Sequence, residues 1–315
     1  MFLCISANPA IDKQIRMTEF RIGAVNRATE SAAEPGGKAA HVAMALRALG
    51  GKPQWIGFAG GSPGEVLVSG LKALGIRAQP IAIRAPTREN LAIVDQAGSV
   101  TEILEPGGKP SAKEVVSFRK AYETECARRK QRLWVILSGS LPPEVPADFY
   151  ASLIRIARSY GCRVVLDSSG EALRRGVAAR PDLVKPNREE AEALTGSKIR
   201  GVVSARNAME QIRAMGAKTV AISLGKDGVL WSAGVDQPPL HARAPEVGKR
   251  SAVGSGDATV AGFAYGLDNR LPPEKVLKLA VACGTANCFA DSPGRIRLST
   301  VRKTEREVRL ETLSG

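Results

Sequence analysis

Aromatic residues, histidines and paired cysteines are all scarce in this 315-residue sequence. Aromatic residues make up only 4%, which argues against binding of single-stranded nucleic acid by base stacking. The five cysteines are scattered and form no Cys-x-x-Cys pair, so we expect reduced thiols rather than disulfides or a zinc site. The two histidines are too few for a histidine-based metal centre and make a Ser-His-Asp triad a poor prospect.

Long apolar runs are missing as well. No segment approaches the roughly 18 consecutive apolar residues that a membrane-spanning helix needs. The N-terminal stretch 1–5 lacks the basic region of a signal peptide, and its apolar run is too short for one. Together with the reduced cysteines, these features predict a cytoplasmic protein with no membrane attachment.

Positive charge is in excess, because 45 Lys and Arg residues face 31 Asp and Glu residues and leave a net charge of +14. Such a balance favours anionic partners, which include both nucleic acid and phosphorylated small molecules. The positive residues do not form long blocks, and the densest stretches, 128–132 and 295–309, are typical of solvated helix faces. The apolar content of 44% is that of a folded globular protein.

Apolar strands alternate with amphipathic helices along most of the chain. This alternation predicts an α/β fold with a mainly parallel sheet that is covered by helices on both faces. Two patches, about 12–34 and 78–105, lack the alternation and have the short strands and turn residues of antiparallel pairing. We expect them to form one small lid sheet over the edge of the main sheet, within a single domain of residues 1–315.

The loop Gly254-Ser255-Gly256-Asp257 precedes a predicted helix, and ligands of open α/β sheets bind at such strand-to-helix loops. Its glycines allow backbone N–H groups to converge at a helix N-terminus, where they would stabilise a phosphoryl group in transfer. Asp257 could accept the proton of an attacking hydroxyl. Alternatively, Asp257 only caps the helix.

Two further loops each have a structural and a functional interpretation. Asn187 and Glu190 have the spacing of a helix capping box, or they lie near nucleotide phosphates and a water bound to Mg²⁺. The loop 223–228 contains Asp-Gly between two predicted strands, so it is either a hairpin turn or a loop whose backbone faces the phosphates.

The stretch Gly36-Gly37-Lys38 opens a helix, and the stretch 8–12 follows the first strand. The glycines permit a ligand to approach the backbone closely, and Asp12 could hold sugar hydroxyls. An ordinary helix entry followed by a turn is the alternative. Neither a Walker A sequence nor a GxGxxG fingerprint is present, so a P-loop fold is disfavoured.

The order and spacing of these loops are more specific than any loop alone. Over about residues 1–294 the sequence resembles the PfkB branch of the ribokinase-like carbohydrate kinases, and within it the hexose-phosphate kinases. The resemblance implies a three-layer α/β/α sandwich with a β-sheet lid, ATP and Mg²⁺ as cofactors, and a homodimer formed lid against lid. The matching stretches are 8–12, 36–38, 87–90, 138–143, 167–173, 185–190 and 254–257.

The resemblance also implies a role for individual residues. Asp257 matches the general base, and the three residues before it, Gly254, Ser255 and Gly256, match the anion hole. Arg88 and Ser138 match contacts to the phosphate already on the sugar, and Arg27 matches a basic residue that reaches the neighbouring subunit's substrate. The substrate-binding positions are Asp12, Gly36, Gly37, Lys38, His41, Arg88, Asn90 and Ser138. The nucleotide-binding positions are Asn187, Glu190, Ser223, Gly225, Gly228 and Asn287, with Glu190 also serving Mg²⁺ through water.

Two positions depart from the family pattern. Ala39 and His41 stand where the family usually has a glycine and an asparagine that contacts sugar hydroxyls. His41 therefore bears on the identity of the sugar, unless it is only a hydrogen-bonded residue of the first helical turn. Ser255 replaces a usual alanine, which matters little because the backbone N–H forms the anion hole.

We therefore expect ATP-dependent phosphorylation of a hexose phosphate, most like the conversion of fructose 1-phosphate to fructose 1,6-bisphosphate. Two alternatives stay open. The first is a kinase of an unphosphorylated sugar or nucleoside. The second, motivated by the charge of +14, is a non-catalytic protein that binds anions or nucleic acid on a kinase scaffold, although the intact aspartate and glycines oppose it.

Overall fold

Strands and helices alternate in the computed structural model, which describes residues 1–234, 237–248 and 251–312. The prediction of a single domain over residues 1–315 includes residues 235–236, 249–250 and 313–315, which lie outside the described residues, and it stays a prediction. The strands are β1 Phe2–Ser6, β2 Ala10–Arg16, β3 Glu30–Gly36, β4 Pro53–Ala59, β5 Arg77–Ala82, β6 Arg88–Val94, β7 Val100–Ile103, β8 Trp134–Ser138, β9 Arg163–Asp167, β10 Leu183–Val184, β11 Thr219–Ser223, β12 Val229–Trp231, β13 Leu240–Arg243 and β14 Arg309–Thr312. The helices are α1 Lys38–Ala48, α2 Gly61–Ala73, α3 Ala112–Arg129, α4 Phe149–Ser159, α5 Gly170–Ala178, α6 Arg188–Thr195, α7 Val202–Ala214, α8 Ser255–Asp268, α9 Pro273–Asn287 and α10 Leu298–Glu307.

The large sheet has the strand order β14-β13-β12-β11-β10-β9-β8-β1-β4-β5. Neighbours from β5 to β11 pair in parallel, whereas β12, β13 and β14 pair antiparallel. Along β1, Phe2 and Cys4 pack into one apolar layer with α1, α8 and α9, while Leu3 and Ile5 pack into the other with α3 to α7. This alternation of buried faces confirms the predicted three-layer α/β sandwich.

The small sheet has the order β3-β2-β6-β7, and it confirms the predicted lid. Its centre is parallel, because β2 pairs in parallel with β6, and its two outer pairs are antiparallel. The predicted start of the second lid patch, residue 78, is wrong. Residues 77–82 form β5 instead, which pairs with β4 at the edge of the main sheet. Pro80 is tolerated there, because an edge strand can lose a ladder donor.

Strand β1 lies between β4 and β8 in the large sheet. The strands β4 and β5 are added on one side of β1, and the strands from β8 onwards are added on its other side. In open α/β sheets this switch point creates a crevice at the carboxyl ends of the strands, where ligands bind. Strand β2 follows β1 almost directly, and β3 leads into α1 through Gly37. Gly37 has φ 82°, and a Cβ there would lie 3.3 Å from the backbone of Pro9. This close crossing places the lid beside the crevice.

Candidate active site

Asp257 lies in the first turn of α8, which begins after Gly254 in the left-handed conformation with φ 79°. No side-chain cap hydrogen bond forms at this helix end. The buried carboxylate instead lies against His41, with Oδ2 2.8 Å from Nδ1. The carboxylate therefore contacts the first turn of α1 rather than capping its own helix.

His41 bridges two carboxylates. Its Nε2 lies 2.7 Å from Asp12 Oδ2, while its Nδ1 contacts Asp257. Burial alone would lower the pKa of His41, but hydrogen bonds and attraction from Asp12 and Asp257 raise it to about 10. His41 is therefore more than a hydrogen-bonded residue of the first helical turn. It links the predicted base, Asp257, to the predicted substrate-binding residue Asp12.

Asp12 also receives hydrogen bonds from the lid and from the start of α1. Asn90 Nδ2 donates to Oδ1 at 2.9 Å, and the backbone N–H of Gly37 donates to Oδ2 at 3.4 Å. Burial would raise the pKa of Asp12, but the bonds from His41, Asn90 and Gly37 hold it below its ordinary value. Asp12 is consequently an ionised, oriented acceptor in the crevice.

The glycine loop before α8 is fastened by Asn287. Its Nδ2 donates to the carbonyl of Val253 at 2.7 Å, and its Oδ1 accepts from the N–H of Gly294 at 2.8 Å. A Cβ on Gly254 would lie 2.6 Å from Pro293 Cβ, so only glycine fits there. Both polar atoms of Asn287 thus contact backbone, and its placement at the adenine stays a prediction.

A buried aspartate with two lysines lies next to the glycine loop. Asp167 accepts from Lys38 Nζ at 3.5 Å and from Ser138 Oγ at 3.3 Å, and Lys185 Nζ lies 3.3 Å away. Burial would raise the pKa of Asp167, but Lys185 and Lys38 lower it. In turn, Asp167 is the largest cause that raises the pKa of Lys38.

Lys185 also lies against the glycine loop, since its Nζ lies 3.5 Å from the place that a Cβ on Gly256 would take. Neither Lys185 nor Asp167 was among the predicted site residues. A signal was present, because each follows or ends one of two adjacent parallel strands, β10 and β9, whose carboxyl ends meet at one edge.

The predicted nucleotide side begins with the capping box of α6, which is confirmed. Asn187 Oδ1 accepts from the N–H of Glu190, and Glu190 Oε2 accepts from the N–H of Asn187, both at 2.8 Å. A parallel bridge joins Asn187 to Ser223 at the end of β11. Burial and the nearby Asp167 raise the pKa of Glu190. The three predicted nucleotide residues Asn187, Glu190 and Ser223 thus lie together.

The loop after Ser223 is the predicted hairpin connection, because β11 and β12 pair antiparallel across it. Gly225 starts a 3₁₀ turn with φ 65°, and Gly228 has φ 87°. A Cβ on Gly228 would overlap the carbonyl of Ala242. Both glycines are therefore required by the turn, and their predicted contact with nucleotide stays a prediction.

Arg88 opens lid strand β6 and donates only to main-chain carbonyls in the contacts described. Its Nη1 contacts Glu105 O at 2.7 Å, its Nη2 contacts Asn8 O at 3.1 Å and its Nε contacts Pro9 O at 3.4 Å. Burial lowers its pKa. The guanidinium fastens the lid to the end of β1, and its contact with a substrate phosphate stays a prediction.

The profile of the pfkB family carbohydrate kinases matches residues 6–296. The chain belongs to the PfkB family of carbohydrate kinases. It is 29% identical to 1-phosphofructokinase of Bacillus subtilis over 294 residues, which cover 93% of this chain and 94% of that protein. It is 31% identical to tagatose-6-phosphate kinase of Staphylococcus epidermidis over 304 residues, which cover 94% of each.

Phosphofructokinase-2 from Escherichia coli in complex with potassium has the same fold, with a TM-score of 0.90, 29% identity and 98% of each chain covered. Other structures of that protein are a complex with fructose-6-phosphate and a tetrameric inhibited form. PfkB kinases are phosphotransferases that use ATP. None of the helices within residues 1–234, 237–248 and 251–312 has the length and hydrophobicity to cross a membrane.

Proposed function

We propose that this PfkB kinase transfers the γ-phosphate of ATP to a hydroxyl of a hexose phosphate. The observation that carries the proposal is the buried Asp257 carboxylate at the glycine-rich start of α8, linked to Asp12 through His41. The two curated relatives described above both bear the names of hexose-phosphate kinases, which supports a phosphorylated acceptor. Fructose 1-phosphate, giving fructose 1,6-bisphosphate, is the acceptor we propose first.

Asp257 is the proposed general base. The acceptor oxygen forms a bond to the γ-phosphorus while the bond from that phosphorus to the bridging oxygen of ADP breaks. The hydroxyl proton passes to Asp257, and ADP leaves with the electron pair of the broken bond. Because the transition state of phosphoryl transfer is loose, proton removal is late and electrostatics dominate.

The glycine loop and Lys185 are proposed to stabilise the transferred group. The glycine loop lies at the N-terminus of α8, where the macrodipole favours negative charge. The Ser255 N–H donates to the carbonyl of Ala252 at 3.0 Å, so the N–H groups of Gly254 and Gly256 are the proposed donors. The Lys185 ammonium adds a full positive charge beside Gly256. Donors that are fixed before the reaction need no reorganisation when charge develops on the phosphoryl oxygens.

The polar groups near Asn187 fit Mg²⁺ carried mainly by water and substrate phosphates. Within the described residues, no group of three or more His, Cys, Asp and Glu side chains could hold a metal ion. Mg²⁺ typically keeps several waters and uses one or two carboxylates together with phosphates, and Glu190 would supply such a carboxylate through water. The ion would neutralise charge on the ATP phosphates.

The acceptor class is tested by ADP release with fructose 1-phosphate, fructose 6-phosphate, tagatose 6-phosphate, fructose, ribose and nucleosides. We expect the highest kcat/KM with a hexose phosphate. A preference for an unphosphorylated sugar or nucleoside would overturn the proposed acceptor class.

The base assignment is tested by the isosteric change Asp257→Asn. It should lower kcat about 10²- to 10⁴-fold while the protein stays folded, and near-wild-type turnover would refute the assignment.

We also propose that two lids pair to form a homodimer. Ile22 and Val25, in the lid loop between β2 and β3, are 94% and 82% exposed, and Arg27 beside them is exposed. Light scattering should show a dimer that the double change Ile22→Asp, Val25→Asp converts to a monomer. Val203→Asp, at a position 78% exposed on α7, is the matched control. A monomeric wild type, or a lid variant that stays dimeric, would contradict this arrangement.

A further inference from the structure

The bridge through His41 requires two protons. Nδ1 lies 2.8 Å from Asp257 Oδ2, Nε2 lies 2.7 Å from Asp12 Oδ2, and the imidazole is only 8% exposed. An ionised carboxylate only accepts hydrogen bonds, and a neutral imidazole donates from one nitrogen. Either the ring is an imidazolium that donates to both carboxylates, or one of the two aspartates is protonated.

The electrostatic surroundings favour the imidazolium. Lys38, on the same helix, is held by Asp167, and Arg88 is held by main-chain carbonyls, so neither cation is paired with the two bridged carboxylates. The charged groups around the ring are Asp12 on β2, Arg88 on β6, Glu102 on β7, Lys38 on α1 and Asp257 on α8. Two carboxylates in direct contact with a buried ring stabilise its positive charge more than the distant cations oppose it.

The backbone of His41 is held from two sides. The His41 N–H donates to the carbonyl of Gly37 at 3.2 Å in the first turn of α1. On the other side, a Cβ on Gly294 would lie 2.7 Å from His41 Cα, so the loop after α9 packs directly on this backbone. The same loop is tied to Asn287, which fastens the anion hole. The backbone of His41 is therefore held at a defined position between the lid and α8.

We propose that His41 is a positioning residue which, as an imidazolium, sets the base Asp257 with Nδ1 and the sugar-binding Asp12 with Nε2. The inference rests on the proposed function, in which these two aspartates serve as base and substrate ligand. The bridge uses Oδ2 of each carboxylate, so Oδ1 of Asp257 lies outside it. That oxygen is the one assigned to the acceptor hydroxyl.

The two ring nitrogens make the two contacts separable by substitution. An asparagine amide nitrogen takes roughly the place of Nδ1, and a glutamine amide nitrogen takes that of Nε2. His41→Asn should therefore keep the contact with Asp257 and lose the one with Asp12, whereas His41→Gln should do the reverse. A hydrogen bond to a charged group corresponds to about a 10- to 100-fold effect.

The two variants should differ in which kinetic constant changes more, KM for the sugar phosphate or kcat. For His41→Asn the larger change should be a rise of about 10-fold or more in the KM for the sugar phosphate, and for His41→Gln it should be a fall of similar size in kcat. The KM for ATP should change little in either variant. Equal effects of the two variants on kcat and KM would overturn separate roles for the nitrogens, since a general packing defect affects both alike.

A second measurement needs neither turnover nor substrate. The chain has only two histidines, His41 and His241, so ¹⁵N spectra of ring-labelled wild-type protein contain two imidazoles. His241→Gln identifies the signals of His241 even if a His41 variant fails to fold. We expect both nitrogens of His41 to be protonated at pH 7 to 8, and Asp12→Asn or Asp257→Asn to lower the pH at which they titrate. A singly protonated ring at pH 7 would overturn the imidazolium and assign the second proton to one of the two aspartates.

The two proposals fail in different ways. A doubly protonated His41 in a protein that phosphorylates no sugar would leave the bridge standing and refute the proposed function. Active wild-type enzyme with a neutral His41 would leave the proposed function standing and refute the imidazolium.

Discussion

Lys185 and Asp167 form an ion pair in the interior, with Nζ 3.3 Å from Oδ1 and side chains only 4% and 1% exposed. Each residue lies at the carboxyl end of one of two neighbouring parallel strands. Buried charges persist only when they are paired, and Lys38 supplies a second cation to the same carboxylate. Asp167 thereby keeps the Lys185 amine beside the glycine loop at a defined position.

The first prediction concerns Lys185 as a source of positive charge. Lys185→Met should lower kcat by about 10²-fold, because the transferred phosphoryl group loses a fixed cation next to Gly256. Lys198→Met is the control, since this lysine pairs with Glu192 at the surface and is 80% exposed. Steady-state kinetics should show a lowered kcat in Lys185→Met and an unchanged kcat in Lys198→Met. An unchanged kcat in Lys185→Met would remove Lys185 from the site.

The second prediction concerns Asp167 as the partner of two lysines. Asp167→Asn leaves both amines without a counter-charge, and breaking a buried pair costs about 3–5 kcal/mol. The pKa of Asp167 is lowered in the folded state, so its contribution to stability is present above the unfolded pKa of about 4 and is lost as pH falls through the folded value.

Urea unfolding from neutral to acid pH tests this prediction. Wild-type stability should fall on acidification more than that of Asp167→Asn, so the two curves should converge. If the free energy of unfolding of the variant differs from that of the wild type by the same amount at every pH, the ionisation of Asp167 does not contribute to stability.

The third prediction concerns Gly254, whose φ of 79° and contact with Pro293 both require glycine. Gly254→Ala should displace the anion hole and lower kcat by about 10²-fold, in addition to a strain of about 1–3 kcal/mol. Gly98→Ala is the matched control, because Gly98 has φ 82° and nothing lies within 4 Å of its added Cβ. The control should lose stability without loss of kcat. Equal kcat in the two variants would contradict the steric argument.

The fourth prediction concerns stability in alkaline solution. The folded pKa of His41 is about 10 and the unfolded value is about 6.5. The group with the raised pKa contributes stability that is complete below about pH 6.5 and is lost as pH rises through about 10. Urea unfolding between pH 6 and 10 should show a decline that is shallower in His41→Asn. Parallel pH profiles of the two proteins would contradict a charged His41.

Prediction from sequence succeeded where the determining interactions are local. The capping box of Asn187 and Glu190 spans four residues and forms as predicted. The helix–strand alternation is set by burial on both faces of the sheet, which the apolar pattern of the chain records. The hairpin turn at 223–228 follows from glycines and Asp-Gly within six residues.

Prediction failed where an element depends on a distant neighbour. Strands β13 and β14 were not predicted, because β13 pairs with a strand from the C-terminal end of the chain. Strand β5 was assigned to the lid because residues 78–105 consist of short stretches broken by Pro86 and by Ala97-Gly98, whereas its partner β4 places it in the main sheet. The bonds of the Asn287 amide to the loops on both sides were not predicted either, and its assignment to the nucleotide stays a prediction.

The sequence by itself determined the family, the fold class, and the glycine loop that carries Asp257, because motif order and local backbone preferences are written along the chain. Only the tertiary structure decided that His41 contacts Asp12 and Asp257, from which it is separated by 29 and 216 positions. Only it placed Lys185 against Asp167. Such pairs form when the carboxyl ends of parallel strands and the first turns of α1 and α8 are packed at one edge of the sheet, and no local pattern encodes that packing.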